Sequence, residues 1–309
     1  MAYPGSIKRL ITEFQNRSPM RATSLIITVF GDVVSEHGGT IWLGSLVRAL
    51  APLGVDERLV RTSVFRLVKD GWLESHKQGR RSYYQFTPYG LHEYQRAAHR
   101  IYDLEKHQWN GNWQLVIPRD IPDAKKEAFR RSLHWQGFRT IAAGVFARPD
   151  QDKRELLETI ADFGLENRLM LFTGTEDIAP AGAGTRAMVE DNWKLHEVAQ
   201  KYRAFVKQYS ALAKWLKKNT PDPEPAFLAR TLLVHDYRKI LLQDTALPKA
   251  LLPPSWPGDT ARKLSGEIYI ALTEPSIDYI TSHLEQTDGP MPAPSAAYFS
   301  RFRSQAQSK

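Results

Sequence analysis

Residues 46–87 read LVRALAPLGVDERLVRTSVFRLVKDGWLESHKQGRRSYYQFT, and this stretch decides how the N-terminal part of the chain folds. Val60, Val64, Leu67 and Val68 recur at i, i+4, i+7 and i+8, the spacing of one buried helix face. At about 100° per residue, Arg58, Thr62, Phe65, Arg66 and Lys69 fall on the opposite face, with Arg61 on its flank. Gly54 supplies the preceding turn, Asp56 an N-cap, and Gly71 the stop. Trp72-Leu73-Glu74 then starts a strand, Lys77-Gln78-Gly79-Arg80 turns, and Ser82-Tyr83-Tyr84-Gln85-Phe86 returns. A helix with a basic outer face followed by a basic hairpin is the shape of a winged helix-turn-helix. In such a domain the helix fits the major groove of duplex DNA and the wing holds phosphates.

A basic solvated face is also common on helices that bind nothing. Residues 55–87 carry seven Lys or Arg against four acids, a modest excess. Their order is more telling than their number: the acids sit at the helix ends, and the bases on the outer face and the wing tip. Arg58, Thr62, Phe65 and Arg66 are therefore the candidates for base edges. Arg61, Lys69, Lys77, Arg80, Arg81, Ser82 and Tyr83 are the candidates for phosphates, and Ser63 on the same helix completes the set. Phe65 either touches a thymine methyl or packs against the wing.

The rest of the composition bounds the answer. A chain of 309 residues suggests two or three domains, and 42% hydrophobic residues suffice for packed cores. The formal charge of +8 favours a polyanionic partner. With no cysteine, a disulfide framework, a zinc–thiolate site and a cysteine nucleophile are excluded, which fits a reducing cytoplasm. No apolar run approaches the roughly 20 residues of a membrane span, and the N-terminus lacks a signal-peptide core. The expectation is a cytoplasmic protein with no membrane partner.

Along the chain, residues 6–14 form an amphipathic segment. Residues 21–37 form a helix capped by Thr23 or Ser24, with Leu25, Val29 and Val33 on its packing face. Residues 40–42 add a strand and 43–51 a supporting helix. The winged helix is thus expected over 20–90, a connector helix over 91–108, and an α+β sandwich of ferredoxin-like kind over 109–178. In that sandwich, strands at 113–117, 138–147 and 169–173 alternate with helices at 122–135 and 152–163. A small-residue linker leads to a mostly helical C-terminal domain, 185–285, with a long helix over 187–219 and another at 260–284 that Pro275 must end or kink. The Pro-, Ala- and Ser-rich residues 286–309 are expected to be a disordered tail.

Three stretches imitate enzyme motifs. Gly182-Ala183-Gly184-Thr185-Arg186-Ala187 matches a relaxed dinucleotide fingerprint, but Pro180 precedes it where a strand is needed. His196-Glu197 opens like a zinc-protease motif whose second histidine is replaced by Gln200. His235 and Asp236 are adjacent, and adjacent residues do not face each other on a helix. No catalytic residue, metal site or cofactor is expected.

Several motifs together resemble the PaaX family of bacterial repressors of phenylacetate degradation genes. They are Val60-Arg61-Thr62-Ser63-Val64 with Arg66-Leu67-Val68, Asp70-Gly71-Trp72-Leu73 and Gly79-Arg80-Arg81-Ser82-Tyr83-Tyr84. Further on come Trp113-Gln114-Leu115-Val116-Ile117, Gly137-Phe138, His235-Asp236-Tyr237-Arg238, and Leu247-Pro248 to Trp256-Pro257-Gly258. The resemblance runs from about residue 20 to 285. It implies a homodimer on double-stranded operator DNA, released by an aryl-CoA thioester, phenylacetyl-CoA in the best-known members. It also implies a Cas2-like central domain, although the first strand, WQLVIP, carries no acid for a nuclease. For a thioester effector, Arg230, His235, Arg238 and Lys239 supply cations and Trp256 an apolar cover, which places the expected pocket between this run and the central domain. Two alternatives stand: a related regulator sensing a different acyl or aromatic ligand, and a nucleic-acid-processing enzyme built on the ferredoxin-like domain.

Overall fold

The computed structural model describes residues 3–19, 22–102, 109–175 and 182–302. In chain order, α1 (Gly5–Gln15) and α2 (Ala22–Asp32) lead to β1 (Thr40–Trp42), α3 (Leu43–Leu50), α4 (Glu57–Lys69), β2 (Leu73–Gln78), β3 (Arg81–Phe86) and α5 (Pro88–Tyr102). Next come β4 (Asn112–Pro118), α6 (Asp123–Trp135), β5 (Arg139–Ala142), β6 (Val145–Pro149), α7 (Arg154–Asp162) and β7 (Leu169–Thr175). The remainder is mainly helical: α8 (Ala183–Asn192), α9 (Leu195–Leu216), α10 (Pro223–Leu241) and α11 (Pro257–His283), then a short hairpin of β8 (Glu285–Gln286) and β9 (Gly289–Pro290).

The chain divides into two compact units. The first holds Met1–Leu104, Tyr202–Ile240 and Gly258–Lys309, and the second holds Glu105–Lys201 and Leu241–Pro257. The expected C-terminal helical domain at 185–285 is therefore not a unit of its own. Its sequence shows helices, but not which core each helix completes.

In the first unit, β1, β3 and β2 form an antiparallel sheet in that order, with Trp42 opposite Tyr83, Leu73 opposite Phe86 and Gln78 opposite Arg81. Three helices (α2, α3, α4) and this sheet have the element order and strand pairing of a winged helix. Leu25, Val29 and Val33 are buried as the apolar spacing requires, but α2 is buried nearly all round, from Leu25 through Asp32. Gly31 is part of this packing, because a Cβ there would overlap the Tyr94 ring of α5. Thr23 and Ser24 lie inside α2 rather than capping it, and Arg21 lies outside the described residues.

In the second unit the sheet order is β5-β6-β4-β7, with every neighbouring pair antiparallel. With α6 after β4 and α7 after β6, this is the split βαβ pattern of a ferredoxin-like sandwich. The expected single strand at 138–147 is two, because Ala143 and Gly144, at φ 72, turn the chain between Ala142 and Val145. Val116 and Phe146 pack against Phe129, Leu133, Leu156 and Ile160 of the two helices.

Three further expectations change. The long helix at 187–219 breaks into α8 and α9 at Lys194, whose φ is 51. α11 continues past Pro275 to His283, since Leu272, Ser276, Tyr279 and Ile280 around it are buried and held by packing. The expected tail is ordered through Phe302: Tyr298 and Phe302 are each 1% exposed, and Arg301 pairs with Glu36 at 2.5 Å. The linker residues 178–181, the connector residues 103–108 and the tail residues 303–309 lie outside the described residues.

Candidate nucleic-acid interface

Helix α4 is held by its ends and its inner face. The Asp56 carboxylate accepts the Leu59 N–H at 2.7 Å. At the other end Gly71, at φ 74, donates to the Val68 carbonyl at 3.1 Å and Trp72 to that of Leu67 at 2.9 Å, which is a Schellman stop. Val60, Ser63, Val64 and Leu67 are buried, while Val68 is half-buried. Ser63 is thus on the core side and is removed from the candidate contacts, for at three residues from Val60 it shares that residue's face.

Arg58, Arg61, Thr62, Phe65, Arg66 and Lys69 are all exposed. Phe65 is 71% exposed, so it does not pack against the wing. Arg61 spans back to Glu57 at 2.7 Å, an exposed i, i+4 pair of little strength. The Thr62 hydroxyl donates to the Arg58 carbonyl.

In the wing, Gly79, at φ 60, and Arg80 join β2 to β3 as a two-residue turn, leaving Lys77 and Arg80 exposed. Ser82 is half-buried. Two expected phosphate contacts are otherwise engaged. Tyr83 is buried and stacks on His76 with ring centroids 5.4 Å apart. Arg81 pairs with Glu285 at 2.5 Å and lies over the Trp42 ring at 4.2 Å, while Arg48 approaches the same ring at 4.9 Å and the same carboxylate at 3.4 Å. His76 also meets the Thr287 hydroxyl at 3.0 Å. Trp42 and Glu285 were missed in the sequence. Glu285 lies 204 residues from Arg81, and no local pattern links them.

The C-terminal candidates are mostly core. Arg230 is 1% exposed and donates to Asp32 at 2.9 Å and to the Tyr269 hydroxyl at 3.1 Å, so it does not face a ligand. Asp32 also accepts from Tyr102 at 2.6 Å, Tyr269 at 3.0 Å and Arg301 at 3.3 Å. Burial pushes the Asp32 carboxyl up, but Arg230, Arg301 and the two tyrosine hydroxyls outweigh it and hold it below the ordinary carboxylate range. Arg238 is buried, with its guanidinium 3.5 Å from the Ser24 carbonyl. Asp236 pairs with Arg17, at 2.5 and 2.7 Å, rather than with Arg238. Lys239 is half-buried; Trp256 is buried and belongs to the second unit. These five residues are thus not gathered into one open site within either unit.

His235 is buried against the Phe14 ring, 5.9 Å away, with its Nδ1 3.3 Å from the Thr28 hydroxyl. Burial pushes its pKa down to about 3; Asp236 raises it, whereas Lys239, Arg238 and Arg17 lower it. The unfolded chain takes up this proton near the ordinary value of about 6.5. Stability from neutral His235 is therefore complete above that pH and is lost progressively as pH falls towards 3. Between pH 7 and 5 the loss should be about 2 kcal/mol. Urea unfolding of wild type and His235→Gln at both pH values checks this; equal pH slopes would contradict it.

The imitations of enzyme motifs stay apart. His196 meets Gln200 at 2.8 Å, and Gly182 caps α8 as ordinary extended backbone. Among the described residues, no group of three or more His, Cys, Asp or Glu is placed to hold a metal, and no helix is long and apolar enough to cross a membrane.

Residues 21–90 match the family described as PaaX-like protein, 106–189 the PaaX protein central Cas2-like domain, and 193–282 the PaaX-like protein C-terminal domain. The chain is 37% identical over 289 residues to the transcriptional repressor PaaX of Escherichia coli (strain K12), covering 93% of this chain and 92% of that protein. The chain belongs to the PaaX family. An uncharacterized protein from Mycobacterium tuberculosis shares the fold, with a TM-score of 0.50 at 23% identity over 75% of this chain and 88% of that one. The PaaX-like C-terminal match at 193–282 starts in the second unit and runs largely through the first, so family segments and compact units do not coincide.

Proposed function

We propose that this PaaX-family chain is a transcriptional repressor that binds double-stranded operator DNA as a homodimer and is released by an aryl-CoA thioester such as phenylacetyl-CoA. The observation that carries the DNA half is the outer face of α4. Arg58, Thr62, Phe65, Arg66 and Lys69 stand exposed on one helix whose other face is core, beside a wing whose tip exposes Lys77 and Arg80. A face of that size fits the major groove, with Arg66 suited to guanine and Phe65 to a thymine methyl. The relative named as a transcriptional repressor supports the same reading. The effector and the dimer come from the family resemblance, and no catalytic role is assigned.

The test is a gel-shift titration of the full chain on DNA from upstream of its own gene and of adjacent aromatic-acid genes. A shift that survives excess random DNA and is reversed by phenylacetyl-CoA, but not by phenylacetate, is expected. No preference over random DNA would overturn the repressor reading. A stable shift indifferent to the thioester would overturn only the effector.

Because Glu285 competes with DNA phosphates for the exposed Arg81, Lys77 and Arg80 are the wing cations with no such carboxylate beside them among the described residues. Glu285→Gln should free Arg81 for one more phosphate and steepen the fall of log K with log salt by about 0.9. A slope equal to wild type would mean that Arg81 stays on Trp42 and never reaches DNA.

A further inference from the structure

A groove of about 530 Å³ opens on the second unit, within the range of small-molecule sites. It lies where α8 gives way to α9, between that junction and the start of β5. Three cations line it: Arg139, Lys194 and Lys201, against one carboxylate, Glu197. None of the three is tied up in a strong ion pair. Arg139 is half-buried and donates only to the backbone carbonyls of His134 and Phe138, at 3.1 and 2.7 Å; among the described residues no carboxylate pairs with it. Lys194 meets Glu197 at 3.5 Å in an exposed pair, which screening makes weak. Lys201 donates to the neutral Gln243 amide oxygen.

Two backbone features bear on the same spot. Lys194 is a non-glycine residue at φ 51, a conformation that costs free energy and that tends to persist at functional positions. α9 starts immediately after it, so the positive end of a 22-residue helix opens beside the cations. The rest of the lining sets Trp193 and Val198 beside the polar His134, Thr140, Asn192 and Gln243. Trp193 is buried there, its indole N–H donating to the Gly137 carbonyl at 3.2 Å, and Val198 lies one turn further on. Trp256, the apolar cover expected from the sequence, does not line the groove, and neither do Arg230, His235, Arg238 and Lys239.

We propose that this groove binds a phosphate-bearing organic anion, with its phosphate on Arg139, Lys194 and Lys201 and its less polar part against Trp193 and Val198. The proposal deepens the effector half of the functional reading above and rests on it for the choice of probe. The guanidinium fork of Arg139 suits phosphate, and the two lysines add point charges. A simple carboxylate, with a single charge, would gain less from the three cations than a phosphate dianion does.

Calorimetric titration of the full chain with phenylacetyl-CoA, coenzyme A and phenylacetate tests it. Wild type should bind both coenzyme A forms and not phenylacetate. Arg139→Gln, and separately Lys194→Asn with Lys201→Gln, should each weaken binding of both at least tenfold while leaving DNA affinity without ligand unchanged. Asn tolerates the left-handed backbone at position 194, so the double variant keeps the test alive if Arg139→Gln fails to fold. The proposal is overturned if wild type binds neither coenzyme A form, if the double variant binds within twofold of wild type, or if it loses DNA affinity without ligand. That last result would make the groove a contact for DNA. Tight, variant-sensitive binding that never releases DNA would leave the groove standing and sink the effector role instead.

Discussion

Asp32→Ala should destabilise the first unit by about 3–5 kcal/mol, because it leaves a buried cation without its counter-ion. The carboxylate is 1% exposed and lies between two guanidiniums, Arg230 at 2.9 Å and Arg301 at 3.3 Å, with Tyr102 and Tyr269 filling its remaining lone pairs. Removing it strands Arg230, 1% exposed, among the faces of Tyr269 and Tyr298 at 4.5 and 4.9 Å. Attraction to an aromatic face does not replace a counter-ion in low dielectric. Replacing the pair together, Asp32→Leu with Arg230→Met, should recover much of the loss, since the stranded Arg230 charge goes with it and Arg301 keeps Glu36 as its counter-ion. Urea unfolding followed by circular dichroism measures both variants. A loss below about 1 kcal/mol for Asp32→Ala would show that the cluster relaxes or hydrates, contrary to its burial. The sign with pH follows from the depressed carboxyl. The stability due to Asp32 is complete above the ordinary carboxylate pKa of about 3.9 and is lost as pH falls below it through the folded value.

Arg66→Ala should weaken specific DNA binding by about 1–3 kcal/mol and relax the preference at one base pair per half-site. Arg66 stands on the exposed face of α4, between Phe65 at 71% exposure and Lys69, with no acid paired to it among the described residues. Arg61 on the same helix pairs with Glu57, and its removal should cost less. The measurement is a gel-shift series on operator variants at fixed salt, with random DNA alongside. Equal weakening on operator and random DNA would make Arg66 a phosphate contact instead.

The local chemistry of the N-terminal domain was legible because it is encoded within a few residues. Asp56 caps, Gly71 stops and Gly79 turns, each for a backbone reason confined to its own neighbourhood. The ferredoxin-like order was legible too, but one strand was read where two stand. The Ala143-Gly144 turn sits inside a run apolar enough to pass for a single strand. The C-terminal candidates misled for an opposite reason. Arg230, His235 and Arg238 look on paper like a basic ligand surface, and the residues that neutralise or enclose them lie roughly 200 positions earlier in α2 and α1. Likewise, the groove at Trp193 and Lys194 has no motif, because its walls come from separate segments joined by the break between α8 and α9.

By itself, the sequence determined helix α4 with its basic outer face, the hairpin after it, the alternating strands and helices of the central domain, and the family. The elements rest on spacing within one element or one turn, where periodicity and capping act, and the family on short motifs recognised one by one along the chain. Only the tertiary structure decided which charges face solvent and which are counter-ions in a core. It put Ser63 and Tyr83 inward, gave Arg81 to Glu285, buried Arg230 on Asp32, and split the C-terminal helices between two units. The physical reason is that a charge's role is set by its partner and by the dielectric around it, and both are supplied by residues far away in the chain.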